Sequence, residues 1–137
     1  MKTIALIAHD RKKTKLAEWV VHWAQLLSQH RLIATQTTGG VLTDKVSGLT
    51  LRKTKSGPLG GDQQIGAMIA QEEIDLLIFF TDPLSPHPHD VDVKALTRLA
   101  TVYDVPMACS PATANLIMRS GYLSIGNADP ISLSGSG

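Results

Sequence analysis

Five short apolar runs punctuate the chain: TIALIA from Thr3, RLIAT from Arg31, LTLRK from Leu49, LLIFF from Leu76 and VPMACS from Val105. Their length and near-continuous hydrophobicity read as strands buried on both faces. Between them the apolar positions recur at helical spacing. Leu16, Trp19, Val20, Trp23 and Leu27 form one stripe and predict a helix from about Thr14 to Ser28, with both tryptophans in the core. Further helices are expected from Gly39 to Val46, with Gly48 near the stop, and from Gly61 to Glu72 through Ile65, Met68 and Ile69. Two more are expected from Asp90 to Tyr103 through Val93, Leu96, Leu99 and Ala100, and from Ala112 to Arg119. Strands alternating with helices predict an α/β fold: a three-layer α/β/α sandwich around a mostly parallel five-stranded sheet, Rossmann-like or flavodoxin-like.

A chain of 137 residues is the size of one domain with a real core. The body is expected over residues 1–123, followed by a flexible tail over 124–137 whose Ser-Gly ending carries no pattern. Thirteen basic residues stand against 12 acidic ones, and no basic stripe is interleaved with aromatics, so nucleic acid is not an expected partner. The lone Cys109 cannot form an internal disulfide, which fits a reducing compartment. TIALIA is too short for a secretory signal and no run of about 18 apolar residues follows, so the expectation is a cytoplasmic chain with no membrane partner.

The unusual residues gather in the loops that leave a strand and enter a helix. After the first strand come His9, Asp10 and Lys13; after the second, TQTTGG with Thr35, Gln36, Thr37 and Thr38; after the third, SGPLGGD with Ser56, Gly57 and Asp62; after the fourth, DPLSPHPHD with Asp82, His87, His89 and Asp90. In an open parallel sheet such loops share the carboxyl edge, where ligands bind. Hydroxyls and glycine amides at a helix start suit an anion, and phosphate is the obvious candidate. Lys13 adds a point charge within reach. Neither a Gly-x-x-x-x-Gly-Lys nor a Gly-x-Gly-x-x-Gly loop is present. His-Pro-His lacks metal-ligand spacing, and a histidine among carboxylates is better suited to acid and base work near neutral pH. Asp62 itself reads either as a helix cap or as an acid in a backbone shaped for close approach.

Taken together, AHDRKK, ATQTTGG, SGPLGGDQQIGA and IFFTDPLSPHPHDVDVKALTRLATV resemble the methylglyoxal synthase family over roughly residues 2 to 119. The resemblance implies conversion of dihydroxyacetone phosphate to methylglyoxal and inorganic phosphate, with no metal and no organic cofactor. It implies that Asp62 is the base and that His89 bonds the carbonyl and enediol oxygens, with Asp92 and Asp10 orienting His89 and the hydroxyls. Lys13, Thr35, Gln36, Thr37, Thr38, Ser56 and Gly57 would hold substrate phosphate, and His9 would line the same site. A homohexamer, in some members inhibited cooperatively by phosphate, is also implied. The chain departs from the family at Gln36, where glycine is usual, at Thr81, where an aromatic is familiar, and after Arg119, where an arginine that helps bind phosphate in some members has no counterpart. The same fold resembles the regulatory domain of the carbamoyl phosphate synthetase large chain, so a phosphate- or effector-binding module without chemistry is the alternative.

Overall fold

The computed structural model describes residues 1–84 and 90–124, with the backbone alone described at 90–92. β1 (Thr3–Ala8), β2 (Arg31–Ala34), β3 (Arg52–Lys53), β4 (Leu76–Phe80) and β5 (Met107–Ala108) form one sheet in the order β3-β2-β1-β4-β5. Every pairing is parallel, with Ile4 opposite Leu32 on one side and Leu76 on the other. The sandwich expected from the pattern is therefore present, and its sheet is wholly parallel. The chain runs outward from β1 to β3, then crosses to β4, so the topological switch lies between β1 and β4.

Alternation along the strands divides the core in two. Ile4, Leu6, Ala8, Leu76, Ile78 and Phe80 face α1 (Lys13–Leu27), α2 (Gln36–Lys45) and α5 (Pro111–Arg119). Ala5, Ile7, Leu77 and Phe79 face α3 (Gly61–Ala70) and α4 (Asp90–Val102). This period of two comes from the pleat, and the unbroken burial of β1 and β4 follows because both faces are covered. Trp19 meets Phe80 edge to face at 6.1 Å, and the indole N–H groups of Trp19 and Trp23 both donate to Asn115 Oδ1, at 3.0 and 2.9 Å. The α1 stripe thus packs on the sheet while its polar edge is tied to α5.

The bounds of three elements differ most from the sequence expectation. α2 begins at Gln36, three residues before Gly39, because extended Thr35 precedes the helix and its carbonyl accepts from Gly39 N–H at 2.7 Å. Threonine and glycine are weak helix formers and hide this first turn from a propensity reading. β3 is only two residues long instead of five, since as an edge strand it pairs with β2 only at Ile33 and Ala34. β5 likewise begins at Met107 rather than Val105.

Candidate functional site at the carboxyl edge

Among the described residues, five polar or charged side chains are buried: Thr3, Thr35, Thr38, Asp62 and Asp82. Four of these sit at the carboxyl edge. Burying hydroxyls and carboxylates opposes folding unless they are bonded, so such a concentration marks a site built for something other than stability.

The end of β1 organises it. Ala8 N–H donates to Thr38 Oγ1 at 3.4 Å, and Thr35 Oγ1 donates to Thr38 Oγ1 at 3.2 Å. Lys13 Nζ donates to the Ala8 carbonyl at 3.2 Å and to Asp10 Oδ1 at 2.6 Å. An ammonium has three donors, so two bonds position Lys13 and leave a third for a ligand. Asp10 lies in a single 3-10 turn, its side chain 93% exposed, and the structure brings it to Lys13. Gln36 and Thr37 are exposed in the first turn of α2, where the helix dipole favours an anion, and Gln36 N–H donates to the Lys55 carbonyl at 3.5 Å.

Asp62 occupies the first turn of α3 and is 8% exposed. A methyl group at Gly57 would lie 3.8 Å from Asp62 Oδ1, which places the Gly57 backbone directly against the carboxylate. The other two glycines of this loop have structural reasons of their own. Gly60 has φ of +100°, a left-handed conformation, and a side chain on Gly61 would meet the Lys55 carbonyl at 1.8 Å. Ser56 sits half-buried at the start of the 3-10 turn Gly57–Leu59, and its carbonyl accepts from both Leu59 and Gly61 N–H. Gln64, which the sequence reading did not single out, accepts from Lys55 N–H at 2.7 Å and ties the loop to α3.

His9 and Asp82 join the first and fourth loops across the switch point. His9 N–H donates to the Phe80 carbonyl at 3.1 Å, and Asp82 N–H donates to His9 Nδ1 at 2.9 Å. Asp82, 7% exposed, also accepts from Leu84 N–H through Oδ1. Sequence reasoning noted Asp82 in its loop without assigning it to the site. An acid two positions beyond a fully buried strand at the carboxyl edge is the signal that would have found it. His87 and His89 lie outside the described residues, and Asp92 is placed only by its backbone in the first turn of α4. Among the described residues no group of three or more histidine, cysteine or acidic side chains could hold a metal ion. Cys109 follows β5, and partial burial pushes its thiol above the ordinary value, away from nucleophile activation.

A groove of about 740 Å³ opens at the opposite, amino edge, lined by Thr3, His30, Arg31, Arg52, Glu72 and Asp75 among others. It contains none of the candidate site residues named from the sequence.

Residues 15–109 match the MGS-like domain family. The methylglyoxal synthase of Agrobacterium fabrum is 62% identical over 117 residues, spanning 85% of this chain and 92% of that protein. The chain belongs to the methylglyoxal synthase family. The methylglyoxal synthase of Brucella ovis is 57% identical over 117 residues, with 85% of this chain and 94% of that protein covered. The crystal structure of methylglyoxal synthase from Elizabethkingia anophelis is similar with a TM-score of 0.84 at 52% identity, covering 89% of this chain and 80% of that one. No helix of the described residues is long and apolar enough to cross a membrane.

Proposed function

We propose that this chain, a lyase of the methylglyoxal synthase family, converts dihydroxyacetone phosphate to methylglyoxal and inorganic phosphate with Asp62 as its base. The observation that carries the residue assignment is the buried Asp62 carboxylate facing the Gly57 backbone at the carboxyl edge. A carboxylate beside an open glycine face can be reached by a small substrate and can take a proton from it.

Asp62 removes a proton from the hydroxymethyl carbon beside the ketone. The electron pair moves onto the carbonyl oxygen to give an enediolate, which His89 stabilises and between whose oxygens it moves protons. Asp92 orients His89, and Asp10 holds Lys13 in place through their ion pair. The enediolate electrons then expel phosphate from the adjacent carbon with cleavage of the C–O bond. The resulting enol takes a proton at that carbon to become the methyl group of methylglyoxal. Lys13, Thr35, Gln36, Thr37, Thr38, Ser56 and Gly57 stabilise the departing charge, with His9 lining the site. The protein works in the cytoplasm as a homohexamer, and inorganic phosphate, its product, binds the same cradle. The free Cys109 supports the reducing compartment.

Purified protein mixed with dihydroxyacetone phosphate is expected to release phosphate and methylglyoxal in equal amounts. Binding of phosphate without turnover would overturn the assignment and support the effector-binding module. Light scattering of the same sample tests the hexamer, and a monomer would overturn that part.

A further inference from the structure

We propose that His9 works as a neutral hydrogen-bond donor through Nε2–H, its tautomer fixed by the backbone amide of Asp82. A backbone N–H can only donate, so the 2.9 Å bond from Asp82 N–H to His9 Nδ1 requires that nitrogen to be bare. The one proton of a neutral ring is then on Nε2. A second N–H at Nδ1 would point at the Asp82 N–H and break the bond.

The surroundings hold the ring in this setting. His9 N–H is bonded to the Phe80 carbonyl, which fixes the backbone of the loop at the end of β4. The ring stands edge-on to Phe79, with centroids 5.1 Å apart and planes at 72°. Asp82 Oδ1 accepts from Leu84 N–H, a turn that orients the Asp82 backbone, and the residue is buried. Two loops from the two strands flanking the switch point therefore agree on one ring orientation. Such agreement is not needed for a surface histidine.

The chemical consequence rests on the function proposed above. A neutral imidazole donating from a fixed Nε2–H can polarise a ketone or stabilise an enediolate oxygen, the pattern in which an imidazole rather than an imidazolium acts as electrophile. His9 is then a donor to substrate oxygen. It is not the group that shuttles protons, and Asp82 is a positioning residue that acts through its main chain.

The test has two readouts. In ¹⁵N-labelled protein free of substrate, with the His9 signals assigned by their loss in His9→Gln, a neutral-pH spectrum is expected to show a bare Nδ1 and a protonated Nε2. Protonation at Nδ1, or on both nitrogens, would overturn the proposal. In turnover, His9→Gln, whose amide N–H can stand near the position of Nε2, is expected to retain at least tenfold more kcat than His9→Asn, whose amide reaches only the Nδ1 position. Equal loss in both variants, with both folded by circular dichroism, would overturn the donor role. The spectrum needs no substrate, so a protein that makes no methylglyoxal yet shows this tautomer would remove the proposed function and leave the ring assignment standing.

Discussion

The two edges of one parallel sheet use polar groups in different ways. At the amino edge the bonds close on one another. Thr3 N–H donates to Asp75 Oδ2 at 2.8 Å, Arg31 Nε donates to Thr3 Oγ1, and Lys2 N–H donates to His30 Nδ1 at 3.0 Å. Tyr122 donates from its hydroxyl to the Asp75 carbonyl, while the Lys2 ammonium lies 4.4 Å from the centre of its ring. These contacts clasp the starts of β1, β2 and β4 to the end of the described chain. At the carboxyl edge the bonds instead position candidate site groups: Ala8 N–H and Thr35 Oγ1 are spent on Thr38, and Asp82 N–H on His9. A polar network is a clasp when its donors and acceptors close on each other, and a site when they hold buried polar groups at the ligand-binding edge of the sheet.

Substitutions at matched positions can break this contrast. The largest separation is expected between the two acids. Asp62→Asn should lower the rate of phosphate release by at least about 100-fold with the fold retained, as for loss of a general base. Asp75→Asn should leave kcat alone and lower stability by about 1 kcal/mol, read by denaturant unfolding. Next come the glycines of one loop. Gly61→Ala drives a methyl group into the Lys55 carbonyl and should destabilise the protein by about 1–3 kcal/mol, whereas Gly57→Ala makes only an ordinary contact with Asp62 and should melt like the parent while losing activity. Equal melting of the two would erase the distinction between a glycine of the fold and a glycine of the site.

The threonines follow. Thr38→Val removes the hydroxyl that accepts from Ala8 and Thr35, and should raise KM for substrate; Thr3→Val, at the other edge, should leave KM unchanged and cost only about 1 kcal/mol of stability. The smallest effect is one of pH. Burial holds the His30 imidazole below its ordinary value; the Leu123 backbone offsets part of this, close enough for electrostatic relief though Nε2 makes no hydrogen bond of good geometry. The unfolded chain therefore binds a proton at higher pH than the folded one. Stability is full above the unfolded value of about 6.5 and declines as pH falls from there toward the folded value. Melting temperature should drop between about pH 7.5 and 5, and His30→Asn, which can still accept from Lys2 N–H, should flatten the slope.

Much of this was legible in the sequence because local patterns wrote it there. The unbroken apolarity of TIALIA and LLIFF marked strands covered on both faces, and the stripe from Leu16 to Leu27 marked α1. Asp62, Thr35 and Thr38 stood out as polar residues in strand-to-helix loops, and all three are buried at one edge. What stayed hidden depends on contacts between distant segments. The first turn of α2 forms from threonine and glycine, whose propensities argue against it, next to a backbone contact from Gln36 to the Lys55 carbonyl. The bond from Asp82 to His9 spans 73 positions, and no spacing announces it. Gly61 is required by the Lys55 carbonyl, a neighbour in space that no propensity names.

The claim that the edges divide the labour can be read from hydrogen exchange with and without inorganic phosphate, the product that the cradle should hold. Slowed exchange is expected at the amides of Thr35 to Gly39 and of Ser56 to Gly61, with the segments Ser28 to Ile33 and Met68 to Asp75 unchanged. Protection of those last two segments, which line the amino-edge groove, with none at the carboxyl edge would contradict it.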